Sequence, residues 1–226
     1  MVTDAAMTRT STSVASQRIA DVLAGRILSG ELAPGARIKQ DELADELETS
    51  RIPVRDALRI LESRGLVTMR ANAGARVTSL SLHELAMSYE IRERLEPLLL
   101  ADSIPHLSRA DIADMHGALA RLEEVADLDE AVALGREFHW ITYRGHRSPL
   151  LAQMVERVWD TTQSYRRAYL AMATQRGGGT VETEHRLIAD AIERGETETA
   201  QAALVLHIRR ARTGFGQSGT VDIMYT

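Results

Sequence analysis

The feature that most constrains this chain is a change of residue periodicity at Gly65. Before it, apolar residues recur at helical spacing in two short segments, 41–47 and 51–64, joined by a tight turn. After it, the segments 66–70 and 75–78 are short and β-favouring, with a glycine-containing stretch between them that is typical of a hairpin. Two short helices followed by a β-hairpin predict a winged helix-turn-helix.

The rest of the chain predicts helices only. We therefore expect a mainly α protein, in which the winged helix-turn-helix with its hairpin wing is followed by an all-α antiparallel helical bundle. The predicted bundle helices are 82–102, 108–126, 129–145, 149–174, 180–194 and 196–213. The predicted regions are a disordered lead-in (1–13), the winged helix-turn-helix (14–80), the helical domain (81–213) and a flexible tail (214–226).

Charge and cysteine content limit the possible functions. Residues 1–80 carry eleven Lys and Arg against ten Asp and Glu, a balance of +1, whereas the remainder has a balance of −6. DNA binding by the first part therefore requires arginines placed locally rather than a basic domain. The chain has no cysteine, no apolar run near twenty residues and no signal peptide. We expect a cytoplasmic protein with no disulfide, no thiolate metal site and no membrane partner.

The second helix of the motif has two distinct faces. Its apolar residues cluster in one narrow arc, which predicts docking on the domain core. Arg51, Arg55 and Arg59 form an outward stripe beside that arc and can offer guanidinium groups to guanine edges and phosphates. An arginine stripe alone would fit an ordinary solvated face. The helix-turn-helix spacing before it and the hairpin after it favour a recognition helix.

The hairpin predicts a wing that brings further residues to the DNA. Arg70, Asn72 and Gly74 can lie against the backbone or in the minor groove. A glycine in a hairpin is also simply a turn residue, so the wing is the weaker half of this interpretation.

Over 15–80 the chain resembles the N-terminal domain of the GntR family of bacterial repressors. The resemblance implies that Ser50, Arg51, Ile52 and Arg55 contact operator DNA, together with the wing tip. Ile52 stands where the family often has a small polar residue, and its side chain can pack on a thymine methyl. The matching residues are Gly30, Leu32, Pro34-Gly35, Leu43-Ala44, Ser50-Arg51, Pro53-Val54-Arg55, Ala57-Leu58, Leu61, Gly65-Leu66-Val67 and Gly74.

The second part, about 84–213, resembles the FCD effector domain of the FadR branch of that family. The motifs are YEIRERLEP at 89–97, EFHW at 137–140, EHRLIADAIERGE at 184–196 and AALVLHI at 202–208. The resemblance implies a divalent metal held by His139, His185 and His207 on three separate helices. Neutral imidazoles suit Zn²⁺ or Ni²⁺, and three protein ligands leave positions open for water or an effector carboxylate.

Gly135 is where this chain departs from the family pattern. The acid that usually supplies the fourth ligand would lie there, one helical turn before His139, and Glu137 points elsewhere on the helix. Two alternatives stay open: three histidines hold the metal with water or effector, or the domain holds no metal. Each histidine alone would be interpreted as a core residue, and only the matching positions of all three favour a metal site.

Arg92 is the predicted effector-binding residue. The resemblance implies that it faces a cavity, where its guanidinium pairs with an effector carboxylate. The alternative is a pair with Glu96 at i,i+4 that only steadies the helix. Arg94 and Arg166 are weaker candidates for this role and are expected to face solvent.

These patterns together predict a homodimeric, ligand-responsive transcription repressor. It would bind double-stranded operator DNA with two-fold symmetry and be released by a small carboxylate effector. One alternative is a metal-independent regulator that binds an acyl or aromatic ligand. Another is a hydrolase built on the three histidines, but no carboxylate in these motifs is an evident general base, and the N-terminal half would be unexplained. No catalytic residue is predicted.

Overall fold

The computed structural model is mainly helical with one small sheet, which confirms the predicted fold class. It describes the backbone of residues 2–70, 74–175 and 179–216, and the side chains of 13–70, 74–172 and 179–215. The chain divides into two units, Met1–Leu80 and Ser81–Thr226. Among the described residues, no helix combines the length and the apolarity that a membrane span requires.

The N-terminal unit has the element order of a winged helix-turn-helix. Its elements are α1 (Val2–Leu28), β1 (Arg37–Ile38), α2 (Gln40–Glu46), α3 (Arg51–Ser63), β2 (Val67–Arg70) and β3 (Gly74–Val77). The strands form an antiparallel sheet in the order β1-β3-β2. One apolar cluster joins the three helices to this sheet, and α3 contributes Val54, Leu58 and Leu61, which are fully buried. The buried face fixes α3 and leaves its other face to solvent.

Helix α1 spans Val2–Leu28 and so includes most of the stretch over 1–13 that the sequence predicts as a disordered lead-in. The prediction followed the apolar periodicity, which starts only near Val14. The stretch upstream contains no glycine or proline, the residues that interrupt helices most strongly, so nothing in the sequence ends the helix there. At the other end, the last helix reaches Gly216, and the rest of the predicted tail lies outside the described residues.

The turn between α2 and α3 is held by a residue in the left-handed conformation. Glu48 has a φ of 48°, and the amide of Thr49 donates to the carbonyl of Ala44 at 2.9 Å, which closes the end of α2. A left-handed residue other than glycine costs about 1 kcal/mol or more. Pro53 then occupies the first turn of α3, where its missing N–H breaks no helical bond.

The C-terminal unit contains helices in the described ranges and no described strand. They are α4 (Leu82–Ser103), a short 3₁₀ turn (Ile104–His106), α5 (Arg109–Glu124), α6 (Leu128–Thr142), α7 (Pro149–Gln175), α8 (Thr180–Glu193) and α9 (Thr197–Gly216). All six predicted helices are present, in the predicted order. Ser81 and Ser108 form capping boxes with Glu84 and Asp111 at the starts of α4 and α5. Helix α4 packs along α9, and α8 also packs against α9.

Ser103 ties the end of α4 to the end of α6. Its hydroxyl is buried, donates to the carbonyl of Thr142 at 2.7 Å, and accepts from the amide of Gly145 at 2.9 Å. A Cβ added at Gly145 would overlap the carbonyl oxygen of Ser103. Only glycine therefore fits this junction, which places α6 and its histidine relative to α4.

We expect Gly145→Ala to lower the free energy of unfolding by about 1–3 kcal/mol, because the added methyl must push one backbone away from another. Gly117→Ala on α5 is the matched control, since its Cβ would meet nothing within 4 Å. That change should raise the free energy of unfolding by about 0.5–1 kcal/mol. Urea unfolding of both variants checks the pair, and equal effects would contradict the junction.

Candidate functional site

Helix α3 presents three arginines to solvent, and the three differ in their partners. Arg51 pairs with Asp41, Nε to Oδ1 at 2.7 Å, and Arg59 lies 3.9 Å from a carboxylate oxygen of Asp56. Arg55 is exposed and makes no ion pair or hydrogen bond within the described part of the chain. Of the three, Arg55 alone needs no exchange of partners to bind a nucleic acid.

The start of α3 leaves its first amides available. Ser50 is the N-cap residue, and its side chain makes no capping hydrogen bond. The uncapped N–H groups and the positive end of the helix dipole favour a phosphate at this point. Ile52 is 58% exposed in this first turn, which is a large apolar surface beside two arginines.

The wing positions Arg70 and Gly74 flank the connection between β2 and β3. Arg70 is exposed and stands opposite Gly74 in the register of β2 and β3. Gly74 has a φ of +78°, a conformation that other residues adopt only with strain. The predicted contact Asn72 lies outside the described residues.

The C-terminal unit contains a cavity of about 550 Å³. Its wall is mostly apolar, with side chains from α4, the α5–α6 connection, α7, α8 and α9. The polar and charged residues on the wall are Arg92, Asp127, Arg166, Glu182, His185 and His207. A cavity of this volume suits a small organic ligand.

The structure brings the three predicted histidines together. One ring nitrogen from each of His139, His185 and His207 lies within 4.8 Å of those of the other two. The Nε2 atoms of His139 and His185 are 3.3 Å apart. Two nitrogens bound to one tetrahedral zinc at about 2.0–2.1 Å would lie about 3.4 Å apart. The spacing therefore fits a shared metal as well as a direct hydrogen bond between the rings.

His207 is oriented by a carboxylate. Its Nδ1 lies 3.0 Å from Oε2 of buried Glu184, whose other oxygen accepts from Arg210 at 2.7 Å. A histidine that donates Nδ1–H to a carboxylate keeps Nε2 free as a ligand. His139 and His185 lack this support, because their buried Nδ1 atoms have no hydrogen-bond partner.

The buried histidines are poised as neutral bases. Burial lowers the pKa of His139 well below its usual 6.5, and His185, His207 and Arg166 lower it further. Burial, with His207 and Arg166, does the same to the pKa of His185. Both rings are therefore unprotonated at neutral pH, which is the form that binds a metal.

Arg92 lines the cavity, but its charge is already neutralised. Its Nε donates to Oε1 of Glu96 at 2.5 Å, and the other oxygen of Glu96 accepts from Tyr143 at 2.7 Å. Both members of the pair are buried. Burial alone would lower the pKa of Arg92, but Glu96 and Tyr89 outweigh it and raise the pKa. Arg92 thus fulfils parts of both alternatives: it lines the cavity, and it pairs with Glu96 at i,i+4.

The expectation that Arg166 faces solvent is wrong. Its guanidinium lies 3.5 Å above the ring centroid of buried Trp159 and lines the cavity. Its hydrogen-bond partner is Oε1 of Gln163, at 3.2 Å. The sequence carried no motif signal for this residue, because α7 has arginines on several sides.

Glu182 is the second residue that sequence reasoning missed. It lines the cavity three residues before His185, and one of its carboxylate oxygens is buried without a hydrogen-bond partner. Within the described residues it is not part of the histidine cluster. A spacing of three residues on one helix was the signal that could have drawn attention to it.

Comparison with known proteins identifies the chain. The model of the bacterial regulatory proteins of the gntR family matches residues 15–77, and the FCD domain matches 87–210. The chain belongs to the GntR family. It is a DNA-binding transcription regulator with an FCD effector-binding domain, as the sequence predicted.

The similarity of this GntR regulator to known relatives extends along most of its chain. It is 32% identical over 202 residues to a probable D-xylose utilization operon transcriptional repressor of Paenarthrobacter nicotinovorans, covering 88% of this chain and 87% of the relative. Escherichia coli McbR/YncC has the same fold, with a TM-score of 0.74 at 21% identity over 93% of this chain and 97% of that one. A GntR regulator from Rhodococcus sp. RHA1 gives 0.75 at 22% identity, over 90% and 98%.

Gly135 of this GntR regulator opens onto the cavity. It lies on α6 one turn before His139, and a Cβ added there would meet nothing within 4 Å. The position predicted for an acidic ligand is therefore free space beside the histidines. The three histidines fit a metal as donors, and the fourth position is left to a ligand from the cavity.

We expect Arg55→Ala to weaken specific operator binding by about 1–3 kcal/mol, because it removes an unpaired guanidinium at the start of α3. Arg59→Ala, one turn further along, is the matched control and should lose less. Fluorescence anisotropy at one fixed salt concentration, on DNA selected from a random pool, measures both. Unchanged affinity in Arg55→Ala would contradict the recognition-helix assignment.

We expect Gly135→Asp to raise the Zn²⁺ affinity at least about tenfold, because a carboxylate one turn before His139 completes a four-ligand set. Gly135→Ala adds the same Cβ without a donor and should leave the affinity unchanged. Competition with a chelator of known affinity measures both variants. An equal affinity in the two would show that the metal does not lie beside position 135.

Proposed function

We propose that this regulator is a homodimeric repressor that leaves its operator when an organic carboxylate binds in the FCD cavity. The observation that carries the proposal is the cluster of His139, His185 and His207, of which His185 and His207 line one cavity together with Arg92 and Arg166. These groups favour an anion over a neutral or cationic ligand.

The three histidines are proposed to hold one divalent ion, Zn²⁺ or Ni²⁺ by donor type. When bound, the ion supplies open coordination positions for water or for an oxygen of the effector. His207 is set for this role by Glu184, which holds its tautomer. A metal-independent regulator with an acyl or aromatic ligand is the alternative, and metal analysis separates the two.

On DNA, two copies of α3 are proposed to bind the two halves of a pseudo-palindromic site. Ser50, Arg51, Ile52 and Arg55 would contact bases and phosphates, with the wing residues Arg70, Asn72 and Gly74 at the groove edge. Arg51 would exchange Asp41 for the DNA. Repression, rather than activation, is supported by the similarity to the Paenarthrobacter relative, a probable transcriptional repressor.

The cavity is proposed to sense a ligand rather than to hydrolyse one. Beyond burial, Arg166 lowers the pKa of both His139 and His185, and Arg92 also lowers that of His139. Cations at this point stabilise a bound anion but do not activate water as a general base. Release of DNA follows by linkage, since effector and operator then favour different states of the protein.

Metal content and DNA release test this proposal together. Protein purified without added metal should carry about one Zn²⁺ or Ni²⁺ per chain, and His185→Ala should lose it. His116→Ala is the matched control, because His116 pairs at the surface with Glu193 at 3.1 Å. Mass spectrometric metal analysis gives the content, and both variants should still bind the selected DNA.

Two results would overturn the proposal. If wild-type protein that contains no metal still releases DNA when a carboxylate is added, the metal has no part in the proposed function. Ester or amide hydrolysis by the metal-loaded protein, abolished in His139→Ala, would replace sensing with catalysis.

A further inference from the structure

Arg166 is a cavity cation that makes no ion pair with a carboxylate within the described structure. Its guanidinium stacks on Trp159 and contacts Gln163, a neutral amide. Burial, together with the nearby charge of Arg92, lowers the pKa of Arg166 to about 9. The side chain is therefore still cationic at neutral pH, in a place where an unpaired charge is costly.

The other cations near Arg166 are already paired. Arg92 is paired with Glu96, and Arg136 forms an ion pair with buried Asp160, Nη2 to Oδ1 at 2.9 Å. A ligand anion that enters the cavity therefore gains most at Arg166, because there it meets a cation without displacing an existing partner.

Trp159 holds the guanidinium in place. Its ring is fully buried, and two guanidinium groups lie over it, that of Arg166 at 3.5 Å from the centroid and that of Arg92 at 4.5 Å. Stacking on an aromatic face orients a guanidinium and leaves its N–H edge free to donate. The arrangement presents a preorganised fork to a carboxylate.

The wall beyond Arg166 is apolar. It is formed by aliphatic side chains of five different segments, among them Leu122, Leu128, Val132, Leu170 and Ile208. A small hydrophilic acid would leave this surface in contact with trapped water. A ligand with an apolar body would cover it, and each buried methylene adds to the affinity.

We propose that Arg166 is the anion anchor of the cavity and that the effector is an amphipathic carboxylate, with its carboxylate on Arg166 and its apolar body against the aliphatic wall. This rests on the proposed function, in that it takes the cavity to be the effector site. It changes the expected effector from a small polar acid to a larger amphipathic one. Arg92 becomes a positioning residue, whose guanidinium also lies over the Trp159 ring.

Calorimetric titration with straight-chain carboxylates tests the proposal on the full chain. Butyrate, octanoate and dodecanoate vary the apolar body, octan-1-ol removes the charge, and citrate removes the apolar body. Each probe is titrated into wild type, Arg166→Gln and Arg167→Gln, with and without Zn²⁺. Arg167→Gln is the matched control, because the adjacent Arg167 loses the same charge but pairs with Asp129 at the surface.

Octanoate should bind wild type, and the affinity should rise about three- to fourfold for each added methylene until the cavity is filled. Arg166→Gln should lose roughly ten- to hundredfold in octanoate affinity while its affinity for octan-1-ol is unchanged. Arg167→Gln should behave as wild type. The loss should be present with and without Zn²⁺, because the anchor belongs to the chain.

Folding of the variant is checked in the same samples. Arg166→Gln removes an unpaired buried charge, so its melting temperature without ligand should equal or exceed that of wild type. Only the octanoate-induced rise should be lost. In a Trp140→Phe background, octanoate should also change the emission of Trp159 in wild type, since its stacked cation gains a partner.

The outcomes separate this proposal from the one before it. If Arg166→Gln does not affect octanoate binding, Arg166 is not the anion anchor. The proposal of a carboxylate effector would still hold. Citrate binding more tightly than octanoate would overturn the amphipathic class. Failure of all the carboxylates to bind wild type or to release DNA would overturn the proposed function itself.

Discussion

The arrangement of buried charge around Trp159 determines what the C-terminal unit can bind. Arg92 and Arg166 both lie over its ring, yet only Arg92 has a carboxylate, Glu96, which Tyr143 also contacts. Burying that pair costs desolvation free energy, which two close hydrogen bonds and two aromatic faces offset. Arg166 has no such compensation, so the folded unit holds one preorganised cation at the wall of its cavity. A bound ligand anion would supply the counter-charge that Arg166 lacks.

The histidine cluster depends on the same surroundings. Burial and the nearby cations keep His139 and His185 neutral, which prepares them as metal ligands, while Glu184 orients His207. Gly135 leaves the fourth position open toward the cavity. A bound ion and Arg166 would then face the same space from two sides, and one carboxylate could satisfy both. Metal and effector binding are in this way expected to be coupled in this regulator.

DNA binding by the N-terminal unit depends on where individual arginines lie rather than on the net charge of the unit. A balance of +1 over residues 1–80 gives little long-range attraction to DNA. The buried face of α3 fixes that helix on the core, and the turn at Glu48 places its start, so that Arg55 is exposed without a partner. Arg51 is held by Asp41 and exchanges partners on binding. Breaking the Arg51–Asp41 pair costs free energy on any DNA. That cost is a larger fraction of the binding free energy at a nonspecific site, where fewer contacts form, than at a fully matched site.

The sequence alone determined the order and the approximate bounds of most elements, because apolar periodicity, Gly and Pro act over a few residues. The hairpin after α3 and the six bundle helices follow from such local signals, whereas the three histidines were predicted from the resemblance to the FCD domain. The start of α1 did not follow from local signals, since 2–13 has neither an apolar period nor a helix breaker. The Arg92–Glu96 pair was predictable at i,i+4, whereas the place of Arg166 was not. Its surroundings come from α4, α7 and α8, far apart in sequence, and only their packing decides which charge is left unpaired. The same packing brings His139 to His185 across 46 residues. The family resemblance predicted these three histidines, but the distances between them and their burial come from the folded chain.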